Sequence, residues 1–236
     1  MVPDRGIFIV ADGMGGHAAG EVASEMAVKF IARELGSLKG LGDEQVAERM
    51  RQAIRAANAA IFQRTLTEHD KRGMGTTVTA LVLYDARFLI GQVGDSRAYL
   101  LRDGKFSQVT KDHSYVQEQV DAGYLTPDQA RAHPYSNVIT RCVGANSDVL
   151  PDVYVGTVKP KDLFLLASDG LTGMLEDQQL FEILRQGSEP QAQVDALITE
   201  ANRLGGLDNI TALIVRIDSV EAPEAETTQA MRGVGR

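Results

Sequence analysis

The hydrophobic pattern of this chain changes period along its length, and the change divides the sequence into blocks of helix and strand. Apolar residues recur at helical spacing over residues 18–35 and again over residues 43–65, where Asp43 stands at the N-cap position. From residue 76 to residue 109 the sequence is instead rich in β-branched residues, and Asp103-Gly104 is typical of a two-residue hairpin turn. Strands joined by hairpins are antiparallel, and the helices do not alternate with them. The pattern therefore predicts an α+β fold and argues against a doubly wound parallel sheet.

The rest of the sequence completes one predicted domain over residues 1–218. A short apolar run at 6–11 predicts a buried strand before the first helix. Residues 113–148 mix short helical pieces with Pro and Gly, which predicts an irregular excursion from a rigid scaffold. The other expected elements are strands at 153–158, 163–167 and 209–217 and helices at 177–186 and 190–204. Residues 219–236 have little apolar content and no periodicity, which predicts a disordered tail or a linker.

The composition argues against several classes of protein. The 236 residues include 24 Lys and Arg against 32 Asp and Glu, a net charge of −8, so the chain lacks the cationic surface that nucleic-acid binding needs. Cys142 is the one cysteine, so an intramolecular disulfide is impossible and a reducing cytosol is favoured. No apolar run approaches the ~18 residues of a membrane span, and Asp4 and Arg5 interrupt any signal-peptide core. We therefore expect a cytoplasmic protein with neither a nucleic-acid nor a membrane partner.

Three aspartates stand at the boundaries of predicted strands. Asp12 and Asp169 each end an apolar strand and precede a glycine, and Asp208 comes just before the last strand. One Asp-Gly pair is first of all a turn signal. Three carboxylates converging on the rim of a sheet would repel one another unless a cation neutralised them. Oxygen ligands without a Cys or His set favour Mg²⁺ or Mn²⁺ over Zn²⁺, so the three residues together predict a metal site.

At this point the sequence resembles the bacterial form of the metal-dependent Ser/Thr protein phosphatases of the 2C family. The first matching stretch is VADGMGGHAAGEVAS at residues 10–24, and FLLASDGLTGML at residues 164–175 is another. Further stretches follow the family order at residues 73–83, 91–104, 109–123, 136–144 and 208–215. The resemblance covers residues 6–217. It implies a four-layer α-β-β-α sandwich with two central antiparallel β-sheets, which agrees with the α+β prediction.

The resemblance also implies a set of metal ligands. Asp12 would bridge two Mn²⁺ or Mg²⁺ ions, the Gly13 carbonyl would bind one of them, and Asp169 and Asp208 would hold the other. A third ion would lie between Asp112 and Asp169. A metal-bridged water would then attack the phosphorus of phosphoserine or phosphothreonine in line, with no phosphoenzyme.

Other roles follow from the same resemblance. His17 would protonate the leaving serine or threonine oxygen, although it also suits a local role at the start of a helix. Asp95, Arg97 and Arg141 are expected to make supporting hydrogen bonds, and residues 113–148 would form a flap that tunes substrate selection. The implied partners are phosphorylated proteins and a eukaryotic-like Ser/Thr kinase as the counterpart enzyme. The chain is expected to be a monomer.

The sequence departs from the family pattern at its start. Family members begin with a strand that carries a phosphate-binding Arg and an Asn-Glu-Asp or Asn-Gln-Asp segment, and neither occurs here. Arg5 precedes Asp12 by seven residues, which at ~3.3 Å per residue places it roughly 23 Å away at the other end of the strand. A truncated chain, a misplaced start and an impaired enzyme are all consistent with this. We expect weakened activity and an unpaired strand edge.

Two other functions compete with this interpretation. Gly13-x-Gly15-x-x-Ala18 imitates a dinucleotide-binding fingerprint, but Asp12 would repel a pyrophosphate, and a second helix stands where that fold needs a second strand. The other alternative is a catalytically impaired phosphatase-like protein that binds phosphoproteins or acts as a scaffold.

Overall fold

The structure is a computed structural model that describes residues 1–36, 38, 40–187 and 189–220. The described strands are β1 (Ile7–Val10), β2 (Gly13–Met14), β3 (Gly75–Thr76), β4 (Val78–Tyr84), β5 (Arg87–Val93), β6 (Arg97–Arg102), β7 (Lys105–Gln108), β8 (Asp152–Thr157), β9 (Leu163–Ala167) and β10 (Ala212–Arg216). The described helices are α1 (His17–Leu35), α2 (Asp43–Thr67), α3 (Tyr115–Asp121), α4 (Pro127–Arg131), α5 (Asp169–Thr172), α6 (Asp177–Leu184) and α7 (Pro190–Arg203). Most of the predicted tail, residues 221–236, lies outside the described residues.

Two four-stranded antiparallel sheets form the centre of the fold. The first sheet has the order β1-β4-β5-β8, and the second has the order β10-β9-β6-β7. Asp85-Ala86 joins β4 to β5 and Asp103-Gly104 joins β6 to β7, and all four of these residues have positive φ. Such backbone angles are those of the turns that match the twist of paired strands, so the predicted hairpins are confirmed.

Helices cover the outer face of each sheet. The predicted apolar face of α2, from Val46 through Met50 and Ile54 to Ile61, is fully buried in a core shared with α1 and the first sheet. A second core lies between the two sheets and includes Phe164. A third core lies between the second sheet and helices α5 to α7. The four-layer α-β-β-α sandwich is therefore confirmed.

Some element boundaries differ from the prediction for local reasons. Gly42, not Asp43, is the N-cap of α2, because the Asp43 carboxylate instead accepts a hydrogen bond of 2.8 Å from the Tyr84 hydroxyl and pairs with Arg87. The last strand starts at Ala212 rather than at residue 209, because the preceding residues form a loop held by Ser168.

The described residues also bear on two expectations about the chain as a whole. Within them, β1 and β10 each lie at the edge of a sheet, as expected for β1. The second helix follows the first directly and both four-stranded sheets are antiparallel, which removes the dinucleotide-binding alternative. A search of the same residues finds no helix long and apolar enough to cross a membrane.

Candidate metal centre

Strand register brings three of the aspartates to one end of the second sheet. Ala167, the last residue of β9, pairs with Ala212 at the start of β10 and with Arg97 at the start of β6. Asp169 follows β9, Asp208 precedes β10 and Asp95 precedes β6, so antiparallel pairing gathers these residues at the same sheet end.

Asp12 joins this group from the first sheet, and two threonines fix its backbone. The Asp12 amide donates to Thr77 Oγ1 at 2.9 Å. The Asp12 carbonyl accepts from the Thr77 amide at 2.8 Å and from Thr76 Oγ1 at 2.9 Å. Thr77 Oγ1 also lies 2.8 Å from Ser96 Oγ, next to Asp95. The Thr76-Thr77 pair thus connects the Asp12 segment to the Asp95 segment.

The glycines after Asp12 and Asp169 serve close backbone approach rather than turns. Neither Gly13 nor Gly170 has a positive φ. A Cβ at Gly13 would lie 2.1 Å from the Gly20 carbonyl oxygen of α1, and a Cβ at Gly170 would lie 2.2 Å from the Asn209 carbonyl oxygen. Any side chain at either position would push apart the segments that carry the aspartates.

The electrostatics of the cluster are those of carboxylates without enough positive charge. Burial raises the pKa of Asp12 from its ordinary value of 3.8 to about 7, helped by a hydrogen bond with Asp169 and by the charges of Asp169, Asp208 and Asp95. Burial likewise raises the pKa of Asp95 to about 7, followed by the charges of Asp169 and Asp112. Ionising all of these groups together is unfavourable without a cation, and oxygen donors suit Mn²⁺ or Mg²⁺.

The residues present therefore fit a hard divalent cation by chemistry and placement. Within the described part of the chain, no three Asp, Glu, His or Cys side chains already form a closed set around one point. The carboxylates are gathered at one end of the sandwich, and small side-chain movements would complete their coordination.

Asp112, expected to bind a third ion, has other partners in the structure. Arg97 donates to both of its carboxylate oxygens at 2.9 and 2.8 Å, and Gln108 donates to one of them at 2.9 Å. Asp95, expected only to make supporting hydrogen bonds, instead contributes to the charge around Asp12 and Asp169. The structure thus brings Asp95 rather than Asp112 into the cluster. Its position just before β6, at the same sheet end as Asp169, is the signal that could have found it.

The remaining predicted residues are placed as follows. Arg97 has the supporting role expected of it, and Arg141 likewise donates to the Leu150 carbonyl at 2.9 Å and to Asp152 at 3.0 Å. His17 begins α1, but its side chain lies outside what the structure describes. Arg5 ends a 3-10 turn before β1, at the strand end opposite Asp12.

Comparison with known proteins identifies the family. Residues 2–200 match the family described as Protein phosphatase 2C. The serine/threonine phosphatase stp of Listeria monocytogenes is 40% identical over 215 residues, which cover 90% of this chain and 84% of that protein. The crystal structure of the Mycobacterium tuberculosis serine/threonine phosphatase PstP/Ppp is similar with a TM-score of 0.84 at 39% identity, covering 90% of this chain and 88% of that one.

A solved structure with bound metal is also similar. The catalytic domain of the serine/threonine protein phosphatase PstP in complex with two manganese ions gives a TM-score of 0.78 at 38% identity, covering 88% of this chain and 86% of that one. The extent of these matches shows that the chain belongs to the protein phosphatase 2C family.

Proposed function

We propose that this chain is a protein phosphatase that hydrolyses phosphoserine and phosphothreonine with the help of Mn²⁺ or Mg²⁺. One observation carries the proposal: Asp12, Asp95, Asp169 and Asp208 converge on one end of the β-sandwich, where burial and mutual repulsion raise the pKa of Asp12 and of Asp95 to about 7. A buried group of this kind needs a cation to be fully ionised. Family membership and the manganese complex of PstP support the same chemistry.

The ligand set follows from the placement of the side chains. Asp12, the Gly13 carbonyl, Asp169 and Asp208 would hold two ions, and Asp95 with Asp169 would hold a third in place of Asp112. When bound, Mn²⁺ or Mg²⁺ supplies a Lewis acid that polarises the phosphoryl group, lowers the pKa of water and offsets charge in the transition state.

The protein contributes rigidity and proton transfer. Thr76 and Thr77 hold the Asp12 backbone through three hydrogen bonds, so its carboxylate starts from a fixed position. The close approach of Gly170 to Asn209 keeps Asp169 beside Asp208. His17, at the start of α1 and five residues after Asp12, is proposed as the acid that protonates the departing serine or threonine oxygen.

The proposed biological setting is coarser. Phosphorylated proteins are the proposed substrates, and a Ser/Thr kinase is the proposed counterpart. A cytoplasmic location and a monomeric state are also proposed, from the composition of the chain.

The test is hydrolysis of p-nitrophenyl phosphate and of a phosphothreonine peptide, with Mn²⁺ or with EDTA. We expect turnover only with metal, and Asp169→Asn should lower both turnover and Mn²⁺ affinity by at least about a hundredfold. Asp195→Asn, an exposed position on α7, is the matched control and should behave like the wild type.

Two outcomes would count against the proposal. Mn²⁺ binding without turnover would favour the impaired phosphatase-like binding or scaffold protein. Unchanged Mn²⁺ affinity in Asp169→Asn, measured by calorimetry, would contradict the ligand assignment itself.

A further inference from the structure

The flap segment, defined as residues 113–148, is held by few buried side chains. Residues 115–142 are all described, and Val116 and Ala130 are the buried side chains among them. Its two helices are short, because α3 has seven residues and α4 has five. Helices of this length are not stable by themselves, and regions with little apolar burial open easily. The position of the flap segment therefore depends on where it is attached.

Its two ends are attached through buried backbone groups. The His113 amide donates to the Gly94 carbonyl at 2.9 Å, and the Gly94 amide donates to His113 Nδ1 at 3.1 Å. At the other end Val143 and Thr76 exchange two backbone hydrogen bonds, each of 2.9 Å. Gly94 precedes Asp95, and Thr76 holds Asp12, so both ends of the segment are fixed beside a proposed metal ligand.

The middle of the flap segment is attached by one side chain. Arg131 ends α4, and its Nη1 donates to the Thr172 carbonyl at 3.1 Å and its Nη2 to the Gly173 carbonyl at 3.3 Å. These carbonyls lie at the C-terminal end of α5, the helical turn that begins at Asp169. The Gly173 amide in turn donates to the Asp169 carbonyl at 2.6 Å. The guanidinium thus bonds to the turn that carries the third proposed ligand.

We propose that Arg131 is a positioning residue that fixes the flap segment against α5, so that a phosphoprotein meets one preset surface beside the metal centre. This rests on the proposed function. Charge-assisted bonds to two carbonyls are stronger than neutral ones, and their loss leaves the middle of the segment held only from its distant ends. A phosphoprotein is large enough to contact the flap segment as well as the metal centre, whereas p-nitrophenyl phosphate has no polypeptide to place there.

The test compares Arg131→Ala, Arg131→Lys and the control Arg33→Ala, which removes an exposed arginine that pairs with Glu34 on α1. With Mn²⁺ and phosphorylated casein, Arg131→Ala should raise KM about tenfold while kcat changes less than about twofold, since charge-assisted bonds of this kind are lost. The KM for p-nitrophenyl phosphate should stay the same. Arg131→Lys, which keeps the charge, should recover part of the KM for casein.

Hydrogen exchange supplies a readout that does not depend on activity. Amides of residues 115–142 should exchange faster in Arg131→Ala than in the wild type, while the Arg33→Ala protein should exchange at the wild-type rate. Unchanged exchange there, or an equal loss of activity on casein and p-nitrophenyl phosphate, would overturn the proposal. If the wild type fails to hydrolyse p-nitrophenyl phosphate, the proposed function fails, and the exchange experiment still decides whether Arg131 positions the flap segment.

Discussion

Gly170 and Asn209 approach each other so closely that a Cβ on Gly170 would lie 2.2 Å from the Asn209 carbonyl oxygen. Gly170 follows Asp169 on α5, and Asn209 follows Asp208 in the loop before β10. The contact is supported by Ser168, which donates from its hydroxyl to the Asn209 carbonyl at 3.2 Å and accepts from the Thr211 amide at 3.0 Å. Two aspartates that are distant in the sequence are neighbours because no side chain separates their backbones.

Replacement of Gly170 by alanine should damage both stability and metal binding. The new methyl group cannot avoid the backbone oxygen, so the two segments must separate, at a cost of about 2 kcal/mol or a fall of roughly 5 °C in the melting temperature. Mn²⁺ affinity should fall with it, because Asp169 and Asp208 move apart. Calorimetry and thermal melting measure the two effects.

Gly42→Ala is the matched control for that experiment. Its φ is −71° and the nearest atom to an added Cβ is Gln45 Oε1 at 3.9 Å, so alanine fits there. A Gly170→Ala protein that melted and bound Mn²⁺ like Gly42→Ala would show that the close approach is not needed.

Replacement of Asp95 by asparagine should separate metal binding from stability. Because burial and neighbouring carboxylates raise the pKa of Asp95 to about 7, its ionised form is unfavourable in the protein without metal. In EDTA at about pH 8 the variant should melt roughly 3 °C higher than the wild type, which corresponds to about 1 kcal/mol. Its Mn²⁺ affinity should fall at least about tenfold, since a ligand is lost. Unchanged affinity would remove Asp95 from the ligand set.

Replacement of Asp112 by asparagine should have the opposite pattern. Asp112 is 8% exposed and neutralises Arg97, so the variant leaves a largely buried guanidinium without its carboxylate. We expect a loss of about 2 kcal/mol in stability and a fall of roughly 5 °C in the melting temperature. Mn²⁺ affinity should match that of the wild type. A large loss of affinity with little change in melting would restore Asp112 as the ligand of a third ion.

The contrast between Asp95 and Asp112 shows what the sequence could not decide about the site. Both are aspartates beside short polar stretches, and each lies near a strand of the second sheet. Which one faces Asp169 depends on the partner that captures the other carboxylate, and Arg97 captures Asp112 through a fork that two neighbouring strands bring together. The sequence also presents Gly13 and Gly170 as turn residues, since the contacts that require them come from distant segments.

The fold was more predictable, because hydrophobic period is a local property. The strand at 163–167 has the predicted bounds, and α1, α2, α6 and α7 lie where helical spacing placed them. The four-residue helix α5 was missed, since a single turn carries no period. Its start at Asp169 is decided by the loop that Gly170 contacts.

The stability of the protein without metal should fall as pH rises from about 5 to 7. The pKa values of Asp12 and Asp95 are raised to about 7, so the folded protein keeps protons that the unfolded chain releases near 3.8. Such groups stabilise the fold below their unfolded pKa and lose that contribution as pH rises through the folded value. In EDTA the melting temperature should therefore fall across this interval by at least about 2 °C, and saturating Mn²⁺ should reduce the fall.

The comparison variant for this pH series is Asp95→Asn, which should show a shallower fall in EDTA. Burial lowers the pKa of His113 from 6.5, and this acts with the opposite sign as pH drops below that value. His113 is present in both proteins, so the difference between their slopes reports the carboxylates. Parallel slopes would contradict the assignment.

Lys161 occupies a backbone conformation that suits glycine, and its replacement should stabilise the protein. It is the third residue of a turn closed by a hydrogen bond of 3.1 Å from the Asp162 amide to the Lys159 carbonyl, and its φ is +74°. A side chain in this region costs about 1–2 kcal/mol, while glycine costs about 0.5–1 kcal/mol in unfolded-state entropy. Lys161→Gly should therefore gain about 0.5–1 kcal/mol, or roughly 2 °C in melting temperature. Lys159→Gly in the same turn, where φ is not positive, should instead lose stability, and equal losses in both variants would show that Lys161 is not strained.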